Sequence, residues 1–378
     1  MWLNALRLKA FRNYAALEFA QPAEINLFVG PNAQGKSNLL EAIYFLATGR
    51  SFRTPAEREL IAWGESGAQL AAHVTCGQTE HDISIQLETA RPKRILLDRE
   101  PLGRLSELYG VFNAVLFTPE DLQLVKGGPE QRRRFLDVLM FQISRGYRQE
   151  SLRFHRVLKQ RNQVLKALAD GQGDRALLGA FTEQYCDAGA RLTARRAQAV
   201  RALAVHAADA YAAISRFETL SLRYVPSFAD STAAPEPAWE DAGAMRLRLE
   251  QEAARLARAE SLRAQTLFGP QRDDLALALD GREARAFASQ GQQRSIVLAL
   301  KQAELAYLEA TSGEPPVLLL DDVLSELDEE RRAHLLGGIS GRVQTFVTTT
   351  HAEAFGSWVG RTLAAFNVQA GTLTPIDA

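Results

Sequence analysis

Cysteine is almost absent: Cys76 and Cys186 are the only two in 378 residues, far apart and without metal-ligand spacing. That excludes a disulfide framework and a thiolate metal cluster, and it fits a reducing compartment. No apolar run approaches the roughly 18 residues needed to span a bilayer. The N-terminus carries Arg7, Lys9 and Arg12 among its apolar residues, where a secretory leader would need an uninterrupted apolar core. A soluble, cytoplasmic protein is expected. A dominant charge is missing as well, since 44 Lys and Arg meet 45 Asp and Glu for a net charge of −1. Any attraction for nucleic acid must therefore be local. Neither an internal repeat nor a low-complexity tract breaks the chain. With 46% hydrophobic and 24% charged residues, it is long enough for two domains with their own cores.

The most informative segment follows the apolar run of residues 25–29. It reads Gly30, Pro31, Asn32, Ala33, Gln34, Gly35, Lys36, Ser37, the pattern of a phosphate-binding loop, and predicts binding of a nucleoside triphosphate. A triphosphate concentrates negative oxygens in a small volume, so the chain must present many donors with no side chain in the way. Gly30 and Gly35 permit that close backbone approach. Lys36 places a point charge on the β and γ phosphates, and Ser37 offers a hydroxyl to magnesium. The next segment, from Asn38 to residue 47, reads as a helix whose positive end faces the anion.

A second half of the site is expected near the other end of the chain. Residues 317–320 form an apolar strand that runs into Asp321 and Asp322, and then Ser325, Glu326, Leu327 and Asp328. A buried strand that delivers a carboxylate to its tip is how a magnesium site is completed. Asp321 is assigned to the metal, directly or through water, and Asp322 to orienting or deprotonating the attacking water. Taken alone, these acids would read as a solvated turn; beside a phosphate loop they read as part of the site.

Between these segments lie Phe287, Ala288, Ser289, Gln290, Gly291, Gln292, Gln293 and Arg294, followed by an apolar helix over residues 295–308. Small and polar residues at a helix start suit a γ phosphate, although Ser289 would also serve as a plain helix cap. One polypeptide cannot easily wrap both this segment and the phosphate loop around one nucleotide, which implies a partner. Here the chain resembles the ATPases of the ABC superfamily, in which the signature loop of one subunit caps the ATP held by the other. The resemblance is closest to the chromosome-maintenance and DNA-repair branch. Gln290 departs from it, because the superfamily usually has glycine there.

The pattern along the chain changes twice. Up to about residue 118, short strand-like runs alternate with turns; from 130 to 215, apolar residues such as Phe135, Leu139, Ile143, Leu192, Val200, Leu203 and Tyr211 recur at helical spacing. Residues 226–239 read as a loop, helix resumes over 242–265, and strands return after Phe268. The phosphate loop and the acids can meet only if the two outer segments fold together. The expected fold is therefore α/β: a P-loop ABC-type ATPase head formed by both chain ends, residues 1–118 and 266–378, with an inserted helical arm over 119–265. About 135 helical residues, returning antiparallel at about 1.5 Å each, make a short lobe rather than a long coiled coil.

Further motifs narrow the resemblance. Pro119, Glu120, Asp121, Leu122 and the following residues to Pro129, with Arg132, Arg133, Arg134, Phe135, Leu136 and Asp137 after them, are similar to a characteristic stretch of the RecF family of bacterial DNA replication and repair proteins. Residues 8–14, 268–274 and 320–335 match the same family in order, so the similarity spans nearly the whole chain. The resemblance implies an ATP-dependent DNA-binding protein that forms a homodimer head to head on ATP and recognises gapped or junction-bearing duplex. It also implies work with RecR and RecO to load the RecA recombinase. It assigns Lys36 and Ser37 to phosphate and Mg2+, Asp321 to the metal and Asp322 to water. Ser289, Gly291 and Gln292 would serve the ATP of the opposite subunit, Asp328 would face that subunit, and His351 would sense the γ phosphate or merely cap its strand.

Residues 131–166 hold ten Lys or Arg and only two acids, Asp137 and Glu150. Charged helix faces are usually just solvated; with the resemblance, Arg145, Arg148, Arg156 and Arg161 become candidates for sequence-independent contact with the DNA backbone, each contact releasing counterions. Two other readings remain open at this level: an ATPase subunit of a membrane transporter, and a switch in which ATP only controls assembly. Aspartate at 322 is one methylene shorter than the glutamate usual at this position in the superfamily, which predicts slow turnover.

Overall fold

The computed structural model describes residues 1–215, 217–229, 237–325, 327–339, 341–350 and 363–376, apart from the side chains of residues 106, 237, 338 and 339. The chain divides into two compact units. One combines Met1–Leu122 with Val297–Ala378, and the other is Gln123–Ile296.

The first unit is built on two six-stranded sheets. The antiparallel sheet is made chiefly by Trp2–Phe11, Tyr14–Ala20, Gly67–Cys76, Thr79–Glu88 and Arg91–Leu97. Its strands alternate as half-buried strands should, with Leu70, Ala72 and Val74 paired beside Ile85, Ile83 and His81 so that the apolar members share a face. The other sheet is mostly parallel and runs, in spatial order, Thr372–Ile376, Leu363–Gln369, Ile25–Val29, Thr345–Thr349, Val317–Asp321 and Ala114–Phe117. Its inner strand at 317–320 is apolar throughout, as a strand covered on both faces should be, with those residues 0–2% exposed. The helix Lys36–Thr48 packs against both sheets, which explains why almost all of its residues are buried. Asp121 ends this first half of the unit: its carboxylate accepts the Thr118 N–H at 2.7 Å and pairs with the buried Lys301 at 3.2 Å.

Register positions the functional edge. Val29 pairs with Thr349, and Asp321 with Thr348. The carboxyl ends of strands 25–29, 345–349 and 317–321 thus come out at one level, with a single strand between the phosphate loop and Asp321. Ligands of parallel α/β sheets sit at such an edge.

The second unit is mainly helical. Helices Arg145–Ala169, Arg175–Ile214 and Ala242–Arg263 pack on one another. They begin at side-chain caps: Ser144 accepts from the Tyr147 N–H, Asp174 from Ala176 and Asp241 from Ala244. A small antiparallel sheet, Leu220–Val225, Asp274–Leu279 and Arg282–Glu283, completes the unit.

Two expectations change here. The arm does not end at 265 but runs to 296, because Asp274–Leu279 pairs with Leu220–Val225, a strand in the short stretch between the helical run that ends at 215 and the loop that begins at 226. Arg161 is not a DNA-facing residue. Only 2% exposed, it donates to Glu260 at 2.7 Å and to the hydroxyls of Thr266 (2.7 Å) and Thr182 (3.0 Å), and its guanidinium lies over the rings of Tyr185 and Phe268. Arg132 is likewise internal, bidentate to Asp274 at 2.8 Å. Arg145 and Arg156 are exposed and Arg148 is half-buried against the Phe141 ring.

The Arg161–Glu260 pair generates a stability prediction. Arg161→Ala strands a buried carboxylate and should cost about 3–5 kcal/mol, whereas the double change Arg161→Met with Glu260→Leu should recover most of it. Urea unfolding of the three proteins checks this; a single variant as stable as the parent would show that the pair is not enclosed.

Candidate nucleotide-binding site

The loop leaves the strand at Gly30 and enters the helix at Lys36. Glycine is required at both ends of the turn for different reasons. A Cβ on Gly30 would lie 2.4 Å from the Val368 carbonyl oxygen, and Gly35 has φ +115°, which L side chains rarely adopt. Ala33 also stands at positive φ, 64°. Pro31 and Asn32 are exposed at the turn, and the Gln34 carbonyl is tied from outside by the Asn13 amide (2.9 Å) and the Gly371 N–H (3.0 Å). Tyr14 donates its hydroxyl to the Gly35 carbonyl at 3.0 Å, and Asn38 donates to Asn13 at 2.8 Å.

Lys36 is 7% exposed, and its ammonium donates to the carbonyls of Gly30 (2.6 Å) and Pro31 (2.9 Å). Burial pushes its pKa down; the carboxylates of Asp322 and Asp321 oppose that. The Ser37 hydroxyl donates to Asp321 at 2.8 Å across 284 positions of chain. Thr348 donates to the same Asp321 oxygen at 2.7 Å, and its hydroxyl accepts the Asp322 N–H at 2.9 Å. Burial pushes the Asp321 pKa up, partly countered by these two hydroxyls. Asp322 sits at φ 54°, a left-handed conformation that turns the chain sharply beyond the strand end.

Ser37 and Asp321 are hard oxygen donors within one hydrogen-bond length, a set that fits Mg2+ when phosphate and water complete its shell. Among the described residues no group of three or more His, Cys, Asp or Glu is placed to hold a metal.

Other assigned residues fall elsewhere. Ser289 and Gln292 make a reciprocal cap in the second unit: the Ser289 N–H donates to the Gln292 side-chain carbonyl at 2.6 Å, and the Gln292 N–H to the Ser289 hydroxyl at 3.3 Å. Gly291 lies in the first turn of the helix that starts at Gln290, five residues before its expected start. Asp328 caps the helix Glu329–Ile339 by accepting the Arg331 N–H at 2.9 Å. His351 lies outside the described residues.

Several contributors were not found from motifs. Glu41, fully buried within the helix that follows the loop, accepts two 2.8 Å hydrogen bonds from Arg12 and one from Ser51. An isolated acid within an apolar helix is the signal that would have revealed it. Arg53 donates to Asn38 at 2.7 Å. Together with Lys9, Arg12, Asn13 and the fully exposed Trp63, it lines a cleft of about 680 Å3 beside the loop.

Comparison with known proteins gives one consistent result. The family model described as RecF/RecN/SMC N terminal domain matches residues 2–374. A DNA replication and repair protein RecF from Lactobacillus delbrueckii subsp. bulgaricus is 44% identical over 375 residues, 99% of this chain and 97% of its own. One from Bacillus velezensis is 39% identical over 376 residues, 99% of this chain and all of its own. A solved structure of the recombination mediator protein RecF with ATPrS, in the RecFOR pathway, superposes with a TM-score of 0.91 at 31% identity, covering 100% of this chain and 98% of that one. An Smc head domain from Pyrococcus furiosus shares the fold at a TM-score of 0.55 and 15% identity, over 99% and 96% of the two chains.

Asp321 links stability to pH. Its raised pKa means that the fold contributes stability when the group is protonated and loses it as pH rises through the folded value. Asp321→Asn, which keeps an acceptor for Ser37 and Thr348, should therefore raise the thermal midpoint of the nucleotide-free protein at neutral pH. The gain should shrink toward zero as pH falls to about 4, near the ordinary carboxylate range. Midpoints that differ equally at both pH values would contradict this.

Proposed function

Because the chain belongs to the RecF/RecN/SMC N-terminal domain family, and within it to the RecF proteins, we propose that it is an ATP-dependent DNA-binding protein of recombinational repair with weak, DNA-dependent ATPase activity. The observation that carries this reading is the hydrogen bond between Ser37 and Asp321 beside the buried Lys36. It joins a phosphate cradle to a carboxylate in the way phosphoryl transfer requires.

ATP would lay its phosphates along the amides of residues 30–37 and its nucleoside toward the cleft of Arg12, Asn13, Arg53 and Trp63. Bound Mg2+, held by Ser37 and Asp321, would neutralise charge on the phosphate oxygens. Asp322 orients a water for in-line attack on the γ phosphorus and takes its proton, while the bond to the leaving ADP oxygen breaks. Lys36 neutralises charge on the transferred group, and Ser289 from a second copy of the chain adds a donor from the far side. Two nucleotides would then clamp two heads into a dimer. Gapped or junction-bearing DNA is the expected substrate, with RecR and RecO as partners in loading RecA. Arg145, Arg148 and Arg156 remain the arm's candidates for phosphate contact. The transporter alternative draws no support from these relatives.

Ultracentrifugation with saturating ATP and magnesium should show doubled mass for the parent protein and single copies for Lys36→Ala, with turnover in that variant reduced about a hundredfold or more. Single copies of the parent, with and without gapped DNA, would sink the proposal. Asp322→Glu should turn over at least as fast as the parent, because the longer side chain reaches the water better; a large loss would refute the reach argument. DNA binding should require ATP and weaken steeply with salt.

A further inference from the structure

We infer that Glu218 is a positioning residue for the signature segment, holding Gln292 so that the start of its helix presents a fixed set of donors, and tying that segment to the end of the arm's longest helix. The inference rests on the dimer reading above, in which this segment caps the partner's nucleotide.

Both oxygens of Glu218 are committed. One accepts the side-chain amide of Gln292. The other accepts the hydroxyl of Tyr211 at 2.8 Å and that of Ser215 at 3.4 Å. Tyr211 is 1% exposed and lies in the last turn of Arg175–Ile214, the 40-residue helix that forms the spine of the arm. Gln292 is thereby held at both ends, since its side-chain carbonyl already accepts the Ser289 N–H.

This arrangement changes what Gln292 can do. With its carbonyl and one of its two amide hydrogens engaged within its own unit, the Gln292 side chain is fixed in orientation, so its main role is to support the donors beside it. Those donors are the hydroxyl hydrogen of Ser289, whose oxygen is already an acceptor for the Gln292 N–H, and the N–H groups of Gln290 and Gly291. The last two have no partner within the helix because of their place in its first turn. Together they make a compact anion-facing set without any flexible side chain. A carboxylate is well suited to the supporting task, since hydrogen bonds to an ionised acceptor are about twice as strong as neutral ones.

The same bridge gives the arm a mechanical connection to ATP capping. The turn after Ile214 is pinned to the small sheet, with the Thr219 N–H donating to Asp280 at 2.9 Å and the Asp280 N–H to Thr219 at 3.0 Å. A shift at the end of the long helix would pull on Glu218 through Tyr211 and Ser215, and through Glu218 on Gln292 and the cap.

Steady-state turnover, ATP-dependent mass, nucleotide affinity and thermal midpoint of the full chain test the inference. Glu218→Ala should lower turnover about tenfold, as expected from losing the charge-assisted hydrogen bond that holds Gln292, while affinity of the phosphate loop for ATP stays within about twofold. Glu218→Gln, whose amide can accept from Gln292 and donate to Tyr211, should recover to within about threefold of the parent. Tyr211→Phe, which keeps the ring, should give an intermediate loss. Parental turnover in Glu218→Ala, equal losses in the Ala and Gln variants, or losses that merely follow the thermal midpoint would each overturn it. Ser289→Arg separates the two levels. If it abolishes turnover while Glu218→Ala does not, only the positioning role falls. If it also turns over normally, the dimer reading falls, and this inference with it.

Discussion

Everything in the first unit depends on closing the distance between residue 37 and residue 321. A serine hydroxyl at one end of the chain and an aspartate near the other share a 2.8 Å hydrogen bond, which requires strands 25–29, 345–349 and 317–321 to lie in one parallel register. Closure entropy grows only with the logarithm of loop length, so each doubling costs about 0.6 kcal/mol. A long intervening segment is therefore thermodynamically tolerable provided it folds by itself. The arm satisfies that condition with its own caps, its own sheet and its own buried polar network. The inserted architecture follows from a site made at two chain ends.

Much of the site was legible because its chemistry is local. A glycine-rich turn after a strand with four apolar residues in five, and a carboxylate at the tip of an apolar strand, announce themselves at short range, and each stands at its strand end. What escaped sequence reading depends on partners distant in the chain. Arg161 sits in a basic run and looks like its neighbours, yet its carboxylate partner, Glu260, lies 99 positions further on. Periodicity cannot distinguish a solvated arginine from one that is buried and paired. The strand Leu220–Val225 was hidden for a similar reason: its partner, Asp274–Leu279, belongs to the stretch expected to re-enter the head. The return point moved to 296 because strand pairing outweighs composition.

The stretch 268–274 shows what a motif can mean once its contacts are known. Gly269 has φ +99°, and a Cβ there would meet the Tyr185 hydroxyl at 2.0 Å. The Pro270 carbonyl accepts from the buried Arg196 at 2.8 Å, and Asp273 accepts from Tyr224 (2.6 Å) and the Ser227 N–H (2.7 Å). Asp274 receives Arg132. These contacts lock the arm's helices and sheet in one arrangement. Buried ion pairs are weak evidence for added stability, but strongly penalise any packing that separates the partners. We take the network as the reason a unit rich in alanine, whose long helix could slide, has a single register.

Thr348 ties together the two acids at the end of strand 317–321. Its hydroxyl donates to Asp321 and accepts from the Asp322 backbone, so one side chain sets both the carboxylate assigned to the cation and the conformation of the residue assigned to water. Neither acid can be adjusted without the other. A frame of this rigidity is costly to reorganise, and burial already raises the Asp321 pKa while lowering that of Lys36. Charges held in such surroundings are poised for a ligand that neutralises them and poorly placed without one. In the proposed dimer, the donors at Ser289 of a second copy would add to the charge that Lys36 and the loop amides offer the γ phosphate.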